Sequence, residues 1–189
     1  MTESDPARRM VPGADDGWYL EDALPGAVLR HPHGRTIGMG EHVWLAWVTD
    51  NASDLHGNAD RSSRGSFGEP IVLGVLSVAI VAGLAAPAGG SPATWTTARL
   101  TGWDEIRLLR PVVPGDTLRA ESTIVGPVGS PGPLGGLVQR RISGRDQRGE
   151  TVLTIDETCW APTREARNKG LLTSIVSPGM VPPGGGAPG

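Results

Sequence analysis

The sequence predicts an α+β fold in which one long central helix is wrapped by a curved antiparallel sheet. Two patterns carry this prediction. The stretch Ile71–Ala86 is apolar on every side, which is typical of a helix buried at the centre of a core. After Pro92, apolar residues tend to recur at every second position, which is typical of strands. One such helix and one antiparallel sheet bury each other's apolar surfaces in two layers.

The composition favours one folded domain between two flexible ends. The chain has 189 residues, of which 28 are glycine and 17 are proline. Residues 1–17 form a polar lead, and residues 166–189 are dominated by proline and glycine towards their end, so we expect both to be flexible. The domain is expected over residues 18–165, a length that supports a sizeable core.

Charge and cysteine content limit the classes of partner and location. The net charge of −3 offers no basic surplus for nucleic acid. The single cysteine, Cys159, excludes an internal disulfide and a cysteine metal cluster, and fits a cytoplasmic location. The apolar stretch of 16 residues is shorter than the roughly 20 residues that cross a bilayer, so we expect no membrane association.

The elements before the central helix follow from local patterns. Ala27–Ile37 predicts a strand that Pro32 interrupts and therefore places at an edge of the sheet. Glu41–Val48 predicts a short helix, and the polar stretch Asp50–Gly68 predicts mostly loop. Pro70 suits the first turn of the central helix.

Antiparallel strands are expected after the helix. Turn signals at Pro114–Asp116 and Asp146–Gly149 separate several of them. The glycine- and proline-rich stretch Gly126–Gly136 predicts a long flexible connector. The strand segments are Trp95–Gly102, Glu105–Leu109, Asp116–Val125, Leu137–Gly144 and Thr151–Trp160.

This order of elements, together with five local strings between Trp18 and Trp160, resembles the MaoC-like hydratase/dehydratase family. The resemblance implies a single hotdog fold, in which a bent antiparallel sheet wraps a long helix, and it implies activity on enoyl thioesters. The strings are Trp18–Val28, Asp50–Gly57, Gly68–Leu76, Arg110–Leu118 and Gln147–Glu150.

The loop after the first helix resembles the catalytic loop of that family, which carries an Asp and, five positions later, a His. His56 matches the histidine, and Asn51 stands in the position of the aspartate. Asp54 replaces the usual proline, and Asp50 places a carboxylate one position early. The resemblance thus implies a catalytic set of these four residues. If the segment is extended, Asp54 and His56 point to the same side.

Hydration of an enoyl thioester needs a proton carrier, a group that holds water, and donors to the thioester oxygen. An imidazole exchanges protons near neutral pH, so His56 is the natural proton carrier. Asn51 can orient water but cannot take up a proton. The resemblance implies that the thioester oxygen meets the backbone N–H of Gly74, with Val72 and Leu73 beside it.

Other residues near this loop have more ordinary roles available. Trp47 is expected either in the core or as an aromatic wall of an acyl site. The remaining histidines, His31, His33 and His42, are expected at the surface or at an edge. A metal site is not expected, because these residues lack a regular ligand spacing.

Three functions remain open at this point. The first is hydration of an enoyl thioester, or dehydration of a 3-hydroxyacyl thioester, carried by coenzyme A or by the phosphopantetheine of an acyl carrier protein. The second is another hotdog reaction, such as a biosynthetic lyase or cyclase step or a thioesterase; the central helix has no carboxylate, and Glu69 just before it is the one candidate. The third is a non-catalytic acyl-binding dimer, which fits the missing aspartate.

The expected partners follow from the same resemblance. No cofactor is expected beyond the carrier that is part of the substrate, whether coenzyme A or phosphopantetheine. A homodimer is expected because a sheet of five or six strands leaves an open edge, and open edges favour pairing. An acyl carrier protein is a further possible partner, and nucleic acid and membrane are not expected.

Overall fold

The computed structural model describes residues 19–86 and 99–171. A single 3-10 turn at Leu20–Asp22 comes before the regular elements. In chain order, these elements are β1 (Val28–Thr36), α1 (Met39–Val48), α2 (Asp54–Gly57), α3 (Ala59–Ser62), α4 (Gly74–Ala85), β2 (Arg99–Leu108), β3 (Thr117–Val128), β4 (Gly135–Arg145), β5 (Thr151–Pro162) and α5 (Arg164–Asn168).

The strands form one antiparallel sheet in the order β1-β3-β4-β5-β2. Each pair of neighbouring strands contains a register shift, and shifts of this kind bend and twist a sheet. The helix α4 packs against β1, β3, β4 and β5. The arrangement confirms the predicted α+β architecture, with one apolar helix against one antiparallel sheet, and it confirms that β1 lies at an edge.

The core lies between α4 and the sheet. Val81 of α4 is fully buried, as are Leu118, Ile142 and Ile155 of three different strands. Full burial of one such side chain stabilises the fold by about 1.5–3 kcal/mol. Gly144 of β4 allows the helix to come close, because a Cβ atom there would lie 2.7 Å from Cγ2 of Val81.

The central helix begins later than the sequence predicts. The structure places its first residue at Gly74, whereas the pattern predicts a start at Ile71 with Pro70 in the first turn. The reason is that the N–H groups before Gly74 bond to other segments: Ile71 N–H to the Leu55 carbonyl at 3.3 Å, and Val72 N–H to the Val112 carbonyl at 2.7 Å. The described helices include none long and apolar enough to cross a membrane.

Three other stretches differ from the predicted pattern. The stretch predicted as mostly loop contains the short helices α2 and α3. β2 is one strand where two are predicted. Two register shifts in its pairing with β5 let the strand continue through the break between the two predicted segments. The predicted connector shortens to residues 129–134, because Gly126 pairs with Gln139 and Val128 pairs with Leu137.

The last helix extends past the predicted end of the domain at residue 165. Thr163 caps α5 by accepting the Ala166 N–H at 3.1 Å, and Ala166 is buried. Arg164 bonds to Asp22 at 2.9 Å and lies 4.4 Å from the ring centre of Tyr19. These contacts tie α5 to the start of the domain. The predicted lead 1–17, residues 95–98 of a predicted strand and residues 172–189 of the tail lie outside the described residues.

Candidate active site

His56 lies in α2, half-buried, with one ring nitrogen fixed by the main chain. Its Nδ1 is 2.8 Å from the Ile71 carbonyl oxygen. A carbonyl can only accept a hydrogen bond, so Nδ1 carries the proton and donates. In the neutral ring, Nε2 then carries the lone pair, and it makes no hydrogen bond within the described residues. This tautomer leaves His56 with a nitrogen that is ready to accept a proton.

His42 is fully buried, although the sequence predicts it at the surface or at an edge. Its Nε2 is 2.8 Å from the His56 carbonyl oxygen, and its Nδ1 accepts the Leu73 N–H at 3.4 Å. The two imidazole rings lie edge to face, with centroids 5.9 Å apart. The prediction for His42 is therefore wrong, because α1 buries the side that carries this histidine.

The buried face of α1 explains both this error and the position of Trp47. The helix buries His42 and Ala46, which are four residues apart and lie on one face. Trp47 lies on another face of α1 and is 77% exposed. Apolar residues occur on more than one face of this segment, so the sequence alone does not predict which face of α1 is buried.

The start of α4 presents two free backbone N–H groups. Leu76 and Ser77 donate to the Leu73 carbonyl, while within the described residues the N–H groups of Gly74 and Val75 have no hydrogen-bond partner. The first turn of a helix carries partial positive charge and favours a negative oxygen. A Cβ atom at Gly74 would lie 2.4 Å from Cδ1 of Leu108, so glycine lets the Leu108 side chain lie close to the start of α4.

The neighbours Val72 and Leu73 are both buried in the core. Their N–H groups are already engaged, by the Val112 carbonyl and by His42. Their role in the structure is to anchor the segment that enters α4. Gly74 and Val75 are thus the first residues of this segment that can donate to a bound molecule.

Asp50 and Asn51 close the C-terminal end of α1. Asp50 adopts a left-handed conformation with φ of 52°. Its N–H bonds to the Trp47 carbonyl, and the Asn51 N–H bonds to the Ala46 carbonyl at 2.9 Å. This pair of bonds is a Schellman motif. The Asn51 side chain accepts the Ser53 N–H at 3.3 Å through Oδ1, which leaves its amide nitrogen able to donate.

Asp54 is engaged in contacts on the surface of α2 and α3. Its carboxylate lies 3.0 Å from Arg61 and 3.1 Å from the amide nitrogen of Asn58. Because α2 is helical, residues two apart point to different sides. The expectation that Asp54 and His56 share a side, which assumed an extended segment, is therefore wrong.

The described residues offer little support for a metal site or for a carboxylate of a thioesterase. No group of three His, Cys, Asp or Glu side chains there lies close enough together to hold a metal ion. The helix α4 has no carboxylate of its own, and Glu69 before it is exposed. Within the described residues, the His56 ring is thus bonded to Ile71, three residues before a helix start at which the N–H groups of Gly74 and Val75 have no partner.

Comparison with known proteins identifies a family model and relatives that match this chain. A family model described as "MaoC like domain" matches residues 22–130. The mesaconyl-CoA hydratase of Cereibacter sphaeroides is 32% identical over 140 residues, which are 73% of this chain and 39% of that protein. The chain therefore spans well under half the length of this curated relative.

Solved structures establish the hotdog fold. A MaoC-like dehydratase from Rhodospirillum rubrum superposes with a TM-score of 0.68 at 21% identity, over 78% of this chain and 99% of that chain. A Mycobacterium tuberculosis protein described as having a double hotdog fold superposes with a TM-score of 0.60 at 24% identity. That match covers 78% of this chain and 44% of the other.

Proposed function

The chain belongs to the MaoC-like domain family, and from this premise we propose that it catalyses the reversible hydration of an enoyl thioester to a 3-hydroxyacyl thioester. The observation that carries the proposal is the imidazole of His56, whose Nδ1–H donates to the Ile71 carbonyl and whose Nε2 has no partner in residues 19–86 and 99–171. His56 lies in α2, which is bonded to the segment entering α4 through Leu55 and the His56 ring. The relative described as a mesaconyl-CoA hydratase favours coenzyme A as the carrier.

In the proposed reaction, His56 is the single proton carrier. Its Nε2 takes a proton from water as the water oxygen forms a bond to Cβ of the substrate. The electron pair of the Cα=Cβ bond moves toward the carbonyl, and negative charge develops on the thioester oxygen. The imidazolium then returns the proton to Cα, so that the elements of water have been added. A positioned acid/base group of this kind typically contributes about 10²–10⁴-fold to the rate.

The developing negative charge is proposed to lie at the start of α4. The free N–H groups of Gly74 and Val75 are the available donors there. Preformed donors need no rearrangement when the charge appears, and one such donor contributes about 10²–10³-fold. Gly74 has no side chain of its own that could cover these N–H groups, and the Leu108 side chain lies beside it.

Asn51 is proposed to orient the attacking water. Its amide can donate and accept hydrogen bonds but cannot take up a proton near neutral pH. Asp54 is held by Arg61 and Asn58, and Asp50 ends α1, so neither takes part in the proposed proton transfer. The site therefore differs from a two-base site, and one histidine serves both half-reactions.

We further propose that the protein acts as a homodimer joined along β2. This strand is an edge of the sheet, and its apolar side chains at Leu100, Ile106 and Leu108 are 56%, 41% and 58% exposed. The solved double-hotdog protein, of which this chain matches 44%, supports a second unit beside the first. A second copy of this chain supplies that unit.

The proposed activity is tested by incubating the protein with short-chain and branched enoyl-CoA thioesters and following the absorbance of the conjugated double bond. We expect the absorbance to fall and the product to gain the mass of one water. Free thiol is measured in the same samples, because release of coenzyme A without hydration identifies a thioesterase instead. Absence of both signals across coenzyme A and carrier-protein substrates contradicts catalysis and favours the non-catalytic acyl-binding alternative.

A further inference from the structure

We infer that His42 is a positioning residue, which holds the main chain of His56 against the start of α4. The inference rests on the proposed function, because it concerns the placement of the proposed proton carrier. His42 is 0% exposed, and both of its ring nitrogens are used. Nε2 meets the His56 carbonyl at 2.8 Å, and Nδ1 accepts the Leu73 N–H at 3.4 Å.

The two bonds require one particular state of the ring. A carbonyl must receive a proton and an N–H must give one, so Nε2 carries hydrogen and Nδ1 does not. This is the neutral Nε2–H tautomer. A phenylalanine fills similar space but leaves a buried N–H and a buried carbonyl without partners, which is costly. The residue is therefore selected by two main-chain groups and not by its volume.

These bonds complete a closed set of contacts around the site. His42 binds the His56 main chain, the His56 ring binds the Ile71 carbonyl, and Leu73, two residues later, binds His42. The free N–H groups of Gly74 and Val75 follow directly. One imidazole in α1 thus fixes the distance between the proton carrier and the donors to the thioester oxygen.

The distance between the His56 ring and the N–H groups at the start of α4 is expected to affect turnover more than substrate affinity. Catalytic groups need placement within about 0.5 Å, and a misplacement of about 1 Å can cost roughly 100-fold in rate. His42 is not expected to reach the substrate, because it is fully buried and both of its ring nitrogens bond to main-chain groups. Its loss is therefore expected to lower kcat while KM changes little.

The test uses H42F, which removes both bonds, and H42N, which keeps an acceptor toward Leu73 but is too short to reach the His56 carbonyl. H33F, at an exposed histidine of β1, is the matched control. We expect kcat for enoyl-CoA hydration to fall about 30- to 100-fold in H42F and in H42N. KM is expected to change less than about threefold, and H33F is expected to match the unchanged protein.

A second readout does not depend on activity. The ¹⁵N chemical shifts of the His56 ring report which nitrogen carries the proton. We expect the Nδ1–H tautomer in the unchanged protein and in H33F, and a mixture of both tautomers in H42F and H42N. If the unchanged protein hydrates no substrate, the proposed function fails, while the ring shifts still decide the role of His42. Unchanged kcat and unchanged His56 shifts in H42F, or in H42N if H42F does not fold, overturn the inference.

Discussion

The four histidines of the chain differ in what surrounds their ring nitrogens, and those surroundings determine what each can do. His33 is exposed, and His31 lies half-buried with Nε2 2.9 Å from the Ser122 hydroxyl. His42 has both nitrogens bonded to main chain, whereas His56 has one bonded and one free. Of the two histidines that bond to the segment entering α4, only His56 has a ring nitrogen without a partner among the described residues.

Stability below neutral pH is expected to depend on His31. Burial, and then the positive charge of Arg140, lowers the pKa of His31 from 6.5 to about 4. Between these values the unfolded chain binds a proton that the folded chain does not. The contribution of neutral His31 to the free energy of unfolding is therefore complete above pH 6.5 and is lost as the pH falls toward 4. For a partly exposed ring we expect a loss of about 2 kcal/mol in the free energy of unfolding.

The measurement is urea unfolding at several pH values for the unchanged protein and for His31→Gln, which can still bond to Ser122. Carboxylates titrate in both proteins, so the difference between the two curves isolates His31. We expect the free energy of unfolding of the unchanged protein to fall by about 2 kcal/mol relative to that of His31→Gln as the pH falls from 7 to 4. A constant difference from pH 7 to 4 contradicts the account of His31.

Asn51 is expected to contribute modestly to turnover. A neutral hydrogen bond to water is worth about 0.5–1.5 kcal/mol, so Asn51→Ala should lower kcat about tenfold. Asn51→Asp adds a base near Asp50 and Asp54, and like charges raise a carboxyl pKa, so a shifted pH–rate profile is expected. Asn168→Ala, at an exposed position in α5, is the control. A thousandfold loss in Asn51→Ala indicates a larger role than the holding of water.

The two glycines of α4 are expected to behave differently. Gly74 lies at the helix start beside Leu108, whereas a Cβ atom at Gly83 would meet nothing within 4 Å. Leu108 is exposed and can turn aside, so Gly74→Ala should fold with a free energy of unfolding within about 1 kcal/mol of the unchanged protein. We expect its kcat to fall about 100-fold, because the methyl group obstructs the free N–H groups.

The matched control is Gly83→Ala in the same helix. Alanine is the better helix former, so this change should raise the free energy of unfolding by about 0.5–1 kcal/mol and leave kcat unchanged. Chemical denaturation and steady-state kinetics measure both quantities. Equal kcat values for the two variants count against a thioester oxygen at the start of α4.

The elements also show what could be predicted from sequence and what could not. The apolar run of α4 and the alternation of β3, β4 and β5 depend on local periodicity, and both were predictable. The helix start at Gly74 depends on bonds from Ile71 and Val72 to distant segments, which local pattern does not reveal. His56 was found by resemblance to a motif, whereas His42 required knowledge of which face of α1 is buried.

For the whole molecule, the open β2 edge predicts association. We expect a dimer at micromolar concentration by light scattering, and we expect Ile106→Lys to disrupt it. An unpaired charge in an apolar interface costs about 3 kcal/mol or more, so the dissociation constant should rise at least about 100-fold. Val125→Lys, at an exposed apolar position of β3, is the control and should stay dimeric. A monomeric unchanged protein contradicts this prediction.

In the proposed reaction, His56 alone carries the proton. The most direct test of this role is the rate of enoyl-CoA hydration by His56→Ala, compared with His33→Ala as a control at an exposed histidine. We expect kcat to fall about 10²–10⁴-fold in His56→Ala, and the loss of the bond to Ile71 to lower the melting temperature by only a few degrees. His33→Ala is expected to keep full activity. Full turnover by a folded His56→Ala variant would contradict the account and would direct attention to Asp54, Asp50 and Glu69.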